Sequence, residues 1–180
     1  MIWEIDSTHS QVSFSIRVLS VSTTRGHFNA FCGQIHLDEQ NPANSWVEAE
    51  VDAASIDTHN KLRDAHLRSA KFFEVKQYPT ITFQSTNVEH VDGQHYKVTG
   101  NLTLHGVTKL TTFDVQYRGQ STLMGVRTSL TAKAQINRND FGLGRGAGVQ
   151  FVASPVVTIE IDLEAVQTAV EVQEALAIAE

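Results

Sequence analysis

Gln11-Val12-Ser13-Phe14-Ser15-Ile16-Arg17-Val18 is the stretch that decides the fold. Val12, Phe14, Ile16 and Val18 alternate with Ser13, Ser15 and Arg17, so an extended chain puts the apolar side chains on one face and the polar ones on the other. The same period recurs outward from it. A second strand is expected from about Thr24 to Leu37, with Phe28 on one phase and Phe31, Gly33 and Ile35 on the other. A bulge near Ala30 reconciles those phases, because one inserted residue swaps the faces. Val47, Ala49 and Val51 follow, then Ile81 and Phe83, then Val98, Leu102 and Leu104, then Phe113 and Val115. Leu130, Ala132, Ala134 and Ile136, and finally Ile159 and Ile161, complete the inward set.

Eight long strands result, most of them bounded by turn residues such as Asp92-Gly93 and His105-Gly106. Strands in sequence with one polar and one apolar phase favour an antiparallel meander. Long strands in that number close into a tall barrel, so the fold class is all-β, an eight-stranded antiparallel lipocalin-like barrel. Two segments break the pattern. Residues 60–68 lack Gly, Pro and β-branched side chains and read as a short helix crossing the barrel. Residues 165–180 space Val166, Ala169, Val170, Gln173, Leu176 and Ala177 at helical intervals, which makes a C-terminal helical tail beyond a barrel of residues 1–164.

The bulk numbers narrow the function. A chain of 180 residues, 41% hydrophobic and 19% charged, is one ordinary globular domain. A formal charge of −6 and no run of clustered Lys and Arg argue against nucleic acid, whose phosphates demand a basic footprint. Cys32 is the one cysteine, so no intramolecular disulfide and no multi-cysteine metal site can form. No run approaches the ~18 apolar residues of a bilayer-spanning helix. The start, Met-Ile-Trp-Glu-Ile-Asp, has no signal-peptide pattern, so a cytoplasmic location is expected.

Eight histidines are scattered without metal-ligand spacing, and no motif calls for a metal or a cofactor. Asp140-Phe141-Gly142 and the glycine-rich run at residues 142–148 match kinase and dinucleotide fingerprints only in passing, because their structural contexts are missing. Three charged clusters stand out: Asp6-x-x-His9-Ser10, Arg63-Asp64-x-His66-Leu67 and Arg138-Asn139-Asp140-Phe141-Gly142. Caps and ion pairs closing the barrel ends account for most of them. The sharper reading places Arg63, Asp64 and His66 at the mouth, orienting a ligand's polar head.

These clusters also carry a resemblance. Trp3-x-x-Asp6-x-x-His9-Ser10-x-x-x-Phe14, Thr23-Thr24-Arg25-Gly26-x-Phe28, Ser55-Ile56-x-Thr58 and Arg63-Asp64-x-His66-Leu67 are similar, in order, to motifs of the YceI-like family. Phe72-Phe73-x-Val75-x-x-Tyr78-Pro79, Thr99-Gly100-x-Leu102-Thr103-x-His105-Gly106 and Asn137-Arg138-x-Asp140-Phe141-Gly142 continue the series. The resemblance implies a lipocalin-like barrel enclosing a polyisoprenoid, an isoprenoid quinone or another long-chain lipid, for storage, transport or isoprenoid metabolism. It also implies a homodimer, and relatives that are often periplasmic. Relatives commonly carry His where this chain has Val18, so a head group met through that His elsewhere is met differently here.

The ligand-binding residues expected on this reading are Phe14, Ile16, Val18, Phe28, Val47, Ala49, Phe83, Val98, Leu102, Leu104, Phe113, Leu130, Ala132, Ala134 and Ile136. Small inward residues such as Gly26, Ala49, Gly100, Ala132 and Ala134 leave room for a ligand if their neighbours do not fill it. An enzyme acting on an isoprenoid or fatty amide through His66, Arg63 and Asp64, and a structural barrel with no ligand, are the alternatives.

Overall fold

The computed structural model describes residues 1–123, 125–144 and 153–168. The strands are β1 (Ile2–Ile5), β2 (Gln11–Val18), β3 (Ser22–Phe28), β4 (Phe31–His36), β5 (Trp46–Asp52), β6 (Ile56–Asp57), β7 (Thr80–Asp92), β8 (His95–Leu104), β9 (Val107–Ser121), β10 (Arg127–Asn137) and β11 (Ala153–Gln167). One α-helix, α1 (Lys61–Arg68), lies between β6 and β7. Every pairing between these strands is antiparallel, and the order β1-β4-β5-β7-β8-β9-β10-β11 closes because β11 returns to β1. The expected eight-stranded antiparallel barrel is therefore what the chain forms. No described helix is long and apolar enough to cross a membrane.

The three remaining strands lengthen the wall. β2 pairs with the first part of β11, β3 with β2, and β6 with β3, so β1–β2, β4–β3 and β5–β6 are three long strands, each broken once. The breaks fall at residues 6–10, at residues 29–30 and at Ala53–Ser55. Each break swaps the inward phase. Trp3 and Ile5 point in above the first, Val12, Phe14 and Ile16 below it, and the expected change of face near Ala30 separates Phe28 from Phe31 and Ile35. The breaks are stitched side by side: Asp6 N donates to Glu164 O at 2.9 Å, Asn29 N to Ser55 O at 3.1 Å, and Asp52 N to Ala30 O at 2.9 Å.

Asp6 holds the first break. Its carboxylate accepts from Thr8 N at 3.0 Å, from His9 Nδ1 at 2.8 Å and from Arg127 Nη1 at 2.8 Å. These hydrogen bonds, with that of the Thr8 hydroxyl the largest, hold its pKa well below the ordinary carboxylate value. The cluster at Asp6, His9 and Ser10 thus shapes a strand break: Ser10 Oγ donates to Glu164 O and accepts from Glu164 N.

Below Asp52 the wall has no ladder between β6 and β7, since β7 begins at Thr80 opposite Asp52. Helix α1 and residues 69–79 fill that gap, as expected of the crossing helix. Asn60 caps the helix by accepting from Arg63 N at 3.0 Å, and Arg68 ties it to the wall through Ala54 O and Ile56 O, both at 2.8 Å.

One boundary moves. Residues 165–167, read from the sequence as the start of a helical tail, continue β11 and pair with β1, Ala165 opposite Ile5 and Gln167 opposite Trp3. The sequence reading had no strand at residues 2–5, so it had no partner for them. The rest of the expected tail helix, from residue 169, and residues 145–148 of the glycine-rich run lie outside the described residues.

Candidate ligand-binding cavity

The barrel is hollow. A cavity of about 290 Å³ runs through it, lined by side chains from nearly every strand. Many inward residues, among them Phe14, Ile16, Val47, Ala49 and Phe83, are only half-buried although they face the interior, because that interior is open. The lining includes Tyr96 towards one rim and Leu104 towards the other, eight residues apart on β8. At ~3.3 Å per residue and a tilt near 40°, that spans about 20 Å along the axis.

Thirteen of the fifteen residues expected to meet a ligand line this cavity: Phe14, Ile16, Phe28, Val47, Ala49, Phe83, Val98, Leu102, Leu104, Phe113, Leu130, Ala132 and Ile136. Val18 does not; it sits at the tip of the β2–β3 hairpin, opposite Ser22 and Ala153, beyond the cavity's end. Ala134 does not either, being packed into the wall's core at 6% exposure. Two of the small residues open no room. A Cβ on Gly26 would lie 2.4 Å from the Phe14 ring, and one on Gly100 would lie 2.7 Å from the Phe83 ring. Each glycine is covered by an aromatic side chain, which protects a backbone that would otherwise be bare.

Arg63, Asp64 and His66 stand apart from the cavity. Asp64 is buried and accepts from both Thr58 N, at 2.9 Å, and the Thr58 hydroxyl. Arg63 donates to Thr58 Oγ1 at 2.8 Å and to Thr58 O at 2.7 Å. His66 is exposed and packs edge-on against Phe72 at 5.0 Å. Their placement is that of a cap fastening α1 to the residues before it. From the same helix and the residues after it, Leu67, Phe72 and Phe73 face the cavity.

Polar groups meet the cavity at its two ends. At one, residues 37–45 fold over the barrel as a strap, with Leu37, Asp38, Glu39 and Ser45 in the lining. Asp38 organises the strap by accepting from Asn41 N at 2.8 Å, Gln40 N at 3.1 Å and Asn44 Nδ2 at 3.1 Å, and these bonds, the one from Asn41 above all, lower its pKa. Glu39 reaches the strand diametrically opposite β4 and accepts from Tyr117 Oη at 3.2 Å and Gln120 Nε2 at 3.3 Å. Burial, with smaller contributions from Glu39, raises the pKa of Tyr117.

At the other end lies Arg138, a lining residue the sequence reading placed only as a barrel-end cap. It is 3% exposed and donates to Ser154 O, Ala153 O and Leu143 O, each at 3.0 Å, and to Gly144 O at 3.3 Å. Burial lowers its pKa. Among the described residues no carboxylate pairs with it, and no group of three or more His, Cys, Asp or Glu is arranged to hold a metal.

A closed antiparallel barrel around a long, almost wholly apolar cavity defines a lipocalin-like hollow barrel. The chain belongs to the YceI-like family: the YceI-like domain model matches residues 3–165. Protein YceI of Salmonella newport is 38% identical over 164 residues, covering 90% of this chain and 84% of that one. Among solved structures, Burkholderia cenocepacia BcnA matches with a TM-score of 0.83 at 25% identity, covering 89% of this chain and 98% of that one. A polyisoprenoid-binding domain from Saccharophagus degradans shares the fold, with a TM-score of 0.68 at 19% identity over 92% of this chain and 98% of that one.

Proposed function

We infer that the barrel binds one long apolar lipid chain, a polyisoprenoid, an isoprenoid quinone or a molecule of like shape, and stores or carries it. The observation that carries this reading is the cavity itself, running between the two rims and bounded by Phe, Ile, Leu, Val and Ala side chains. Removing apolar surface from water contributes about 0.8 kcal/mol per buried methylene. A net hydrogen bond contributes about 1 kcal/mol. A chain that fills the cavity therefore gains most of its affinity from length, and the head group adds selectivity. The polyisoprenoid-binding description of the Saccharophagus degradans domain is in keeping with it.

Native mass spectrometry of the purified protein, followed by solvent extraction, tests the reading. A co-purifying apolar chain, displaced when Ala132→Phe narrows the cavity, is the expected result. A protein that is empty, and that takes up no prenyl alcohol or quinone when offered one, overturns it. Conversion of the bound molecule on incubation would favour the enzyme alternative, whose residues Arg63, Asp64 and His66 lie off the cavity.

A further inference from the structure

The antiparallel meander brings residues far apart in sequence to the same rim. One rim carries the β2–β3 turn, α1 with residues 69–79, and the β8–β9 turn; the other carries the strap, the β7–β8 turn and the end of β9. Charge divides between them. Arg17, Lys61, Arg63, Lys71, Lys76 and Lys109 are exposed at the α1 rim. Of the acidic groups there, Asp64 is buried under Thr58; Asp57 and Glu74 lie 3.6 to 3.9 Å from histidine nitrogens; and Asp140 is exposed beside Arg138, so the cations outnumber the free carboxylates. The cationic partners in Lys and Arg ion pairs are Arg118, Arg127 and Lys133, all away from this rim. Among the described residues, none of the six cations at the α1 rim pairs with a carboxylate. The whole chain carries −6, so this is a positive end on an acidic protein. Glu4, Glu39, Glu89 and Asp92 are exposed at the opposite rim.

Apolar side chains are exposed among these cations. Leu19 is 62%, Val21 83% and Leu62 87% exposed. Leu19 and Ser20 are the two central residues of the β2–β3 turn, with φ of 53° and 58° and Val21 N donating to Val18 O at 3.3 Å. A turn with both central residues in the left-handed region favours Asn-Gly. A leucine there works against the local backbone and gains no burial within the fold, so the fold itself does not explain it.

We propose that the α1 rim docks on an anionic phospholipid bilayer, with Leu19, Val21 and Leu62 entering the headgroup region and the unpaired lysines and arginines facing the lipid phosphates. Exposed apolar side chains ringed by basic ones match the two terms of interfacial binding, burial and charge attraction. The rim also contains a part of the wall that no ladder closes, filled by Leu67, Phe72 and Phe73 between β6 and β7. Docking there sets this helix-filled segment of the wall against the membrane. The surface stands whether or not the cavity is occupied, so its failure and the failure of the lipid-binding reading are separable.

Flotation of the full chain with phosphatidylcholine–phosphatidylglycerol vesicles, beside pure phosphatidylcholine vesicles, tests it. The protein is expected to float with the anionic vesicles alone and to be released by salt, which screens the charges. Lys71→Gln and Lys76→Gln should each weaken binding about fivefold. Lys97→Gln, at the opposite rim, should leave binding unchanged. Leu19→Asn with Ser20→Gly should weaken binding while the protein stays folded, because the turn then has the residues it favours. Equal flotation with both vesicle types overturns the proposal, as does binding that none of the rim substitutions alters. Flotation with neither type also overturns it, and makes an acidic protein surface the occupant to seek.

Discussion

The two rims of the barrel are closed by opposite means. At the α1 rim, closure is part of the fold: a capped helix spans a gap in the wall, and a buried guanidinium fastens the β10–β11 connection by its carbonyls. At the strap rim, closure is a loop laid across the mouth and held to the far strand by two hydrogen bonds to one exposed carboxylate. Buried donors are expensive to lose and exposed ones are cheap, because water replaces them. The rim with the buried guanidinium is thus the one with exposed cations and apolar side chains, and the rim held by exposed bonds is acidic.

The largest effect expected from breaking this contrast is at Arg138. Arg138→Ala leaves two buried and two half-buried carbonyls without this donor and opens a void at the cavity's end, costing about 3 kcal/mol. Urea titration would measure it, and a loss below about 1 kcal/mol would show that the α1 rim is held by something else.

Asp6 comes next, at the break between β1 and β2. Asp6→Asn should cost about 2 kcal/mol at neutral pH, since three charge-assisted bonds weaken together. Its folded pKa is depressed, so its contribution is present above the unfolded value near ~3.9 and is lost as pH falls below that. The stability difference between wild type and Asp6→Asn should therefore shrink in acid. A difference independent of pH would remove the carboxylate from the account.

Much of this was legible in the sequence, and the limits have physical causes. Period-two alternation assigns inward faces strand by strand, which is why the lining from Phe14 to Ile136 could be named. The face swap near Ala30 was readable because Phe28 and Phe31 are both aromatic and out of phase. β1 was missed because four residues, Ile2–Ile5, are too few to show a period. Arg63 and Asp64 look like mouth residues as long as their partner is unknown; Thr58, which takes both, is identified only by the fold. The charge division between rims is invisible in a linear sequence, because successive strands run in opposite directions and interleave the two ends.

A smaller and opposite effect is expected at the β2–β3 turn. Leu19→Asn with Ser20→Gly relieves two left-handed residues and should stabilise the fold by about 1 kcal/mol. A protein that becomes more stable while its hold on anionic vesicles weakens would show the turn trading stability for contact. Destabilisation would mean that Leu19 packs in the fold after all.

The smallest effect on stability is expected at Glu39, and it bears most directly on which rim the ligand uses. Glu39→Ala removes two exposed hydrogen bonds, so thermal melting should move by about 0.5 kcal/mol or less. If lipid enters through the α1 rim, where the protein meets the bilayer, loosening the strap leaves the rate of transfer from vesicle to protein unchanged. If the strap is the door, the same substitution speeds both uptake and loss. A fluorescent prenyl probe delivered from phosphatidylcholine–phosphatidylglycerol vesicles distinguishes the two. Unchanged transfer is the expected result; faster transfer with unchanged stability would make the acidic rim the entrance and leave the basic rim as a tether only.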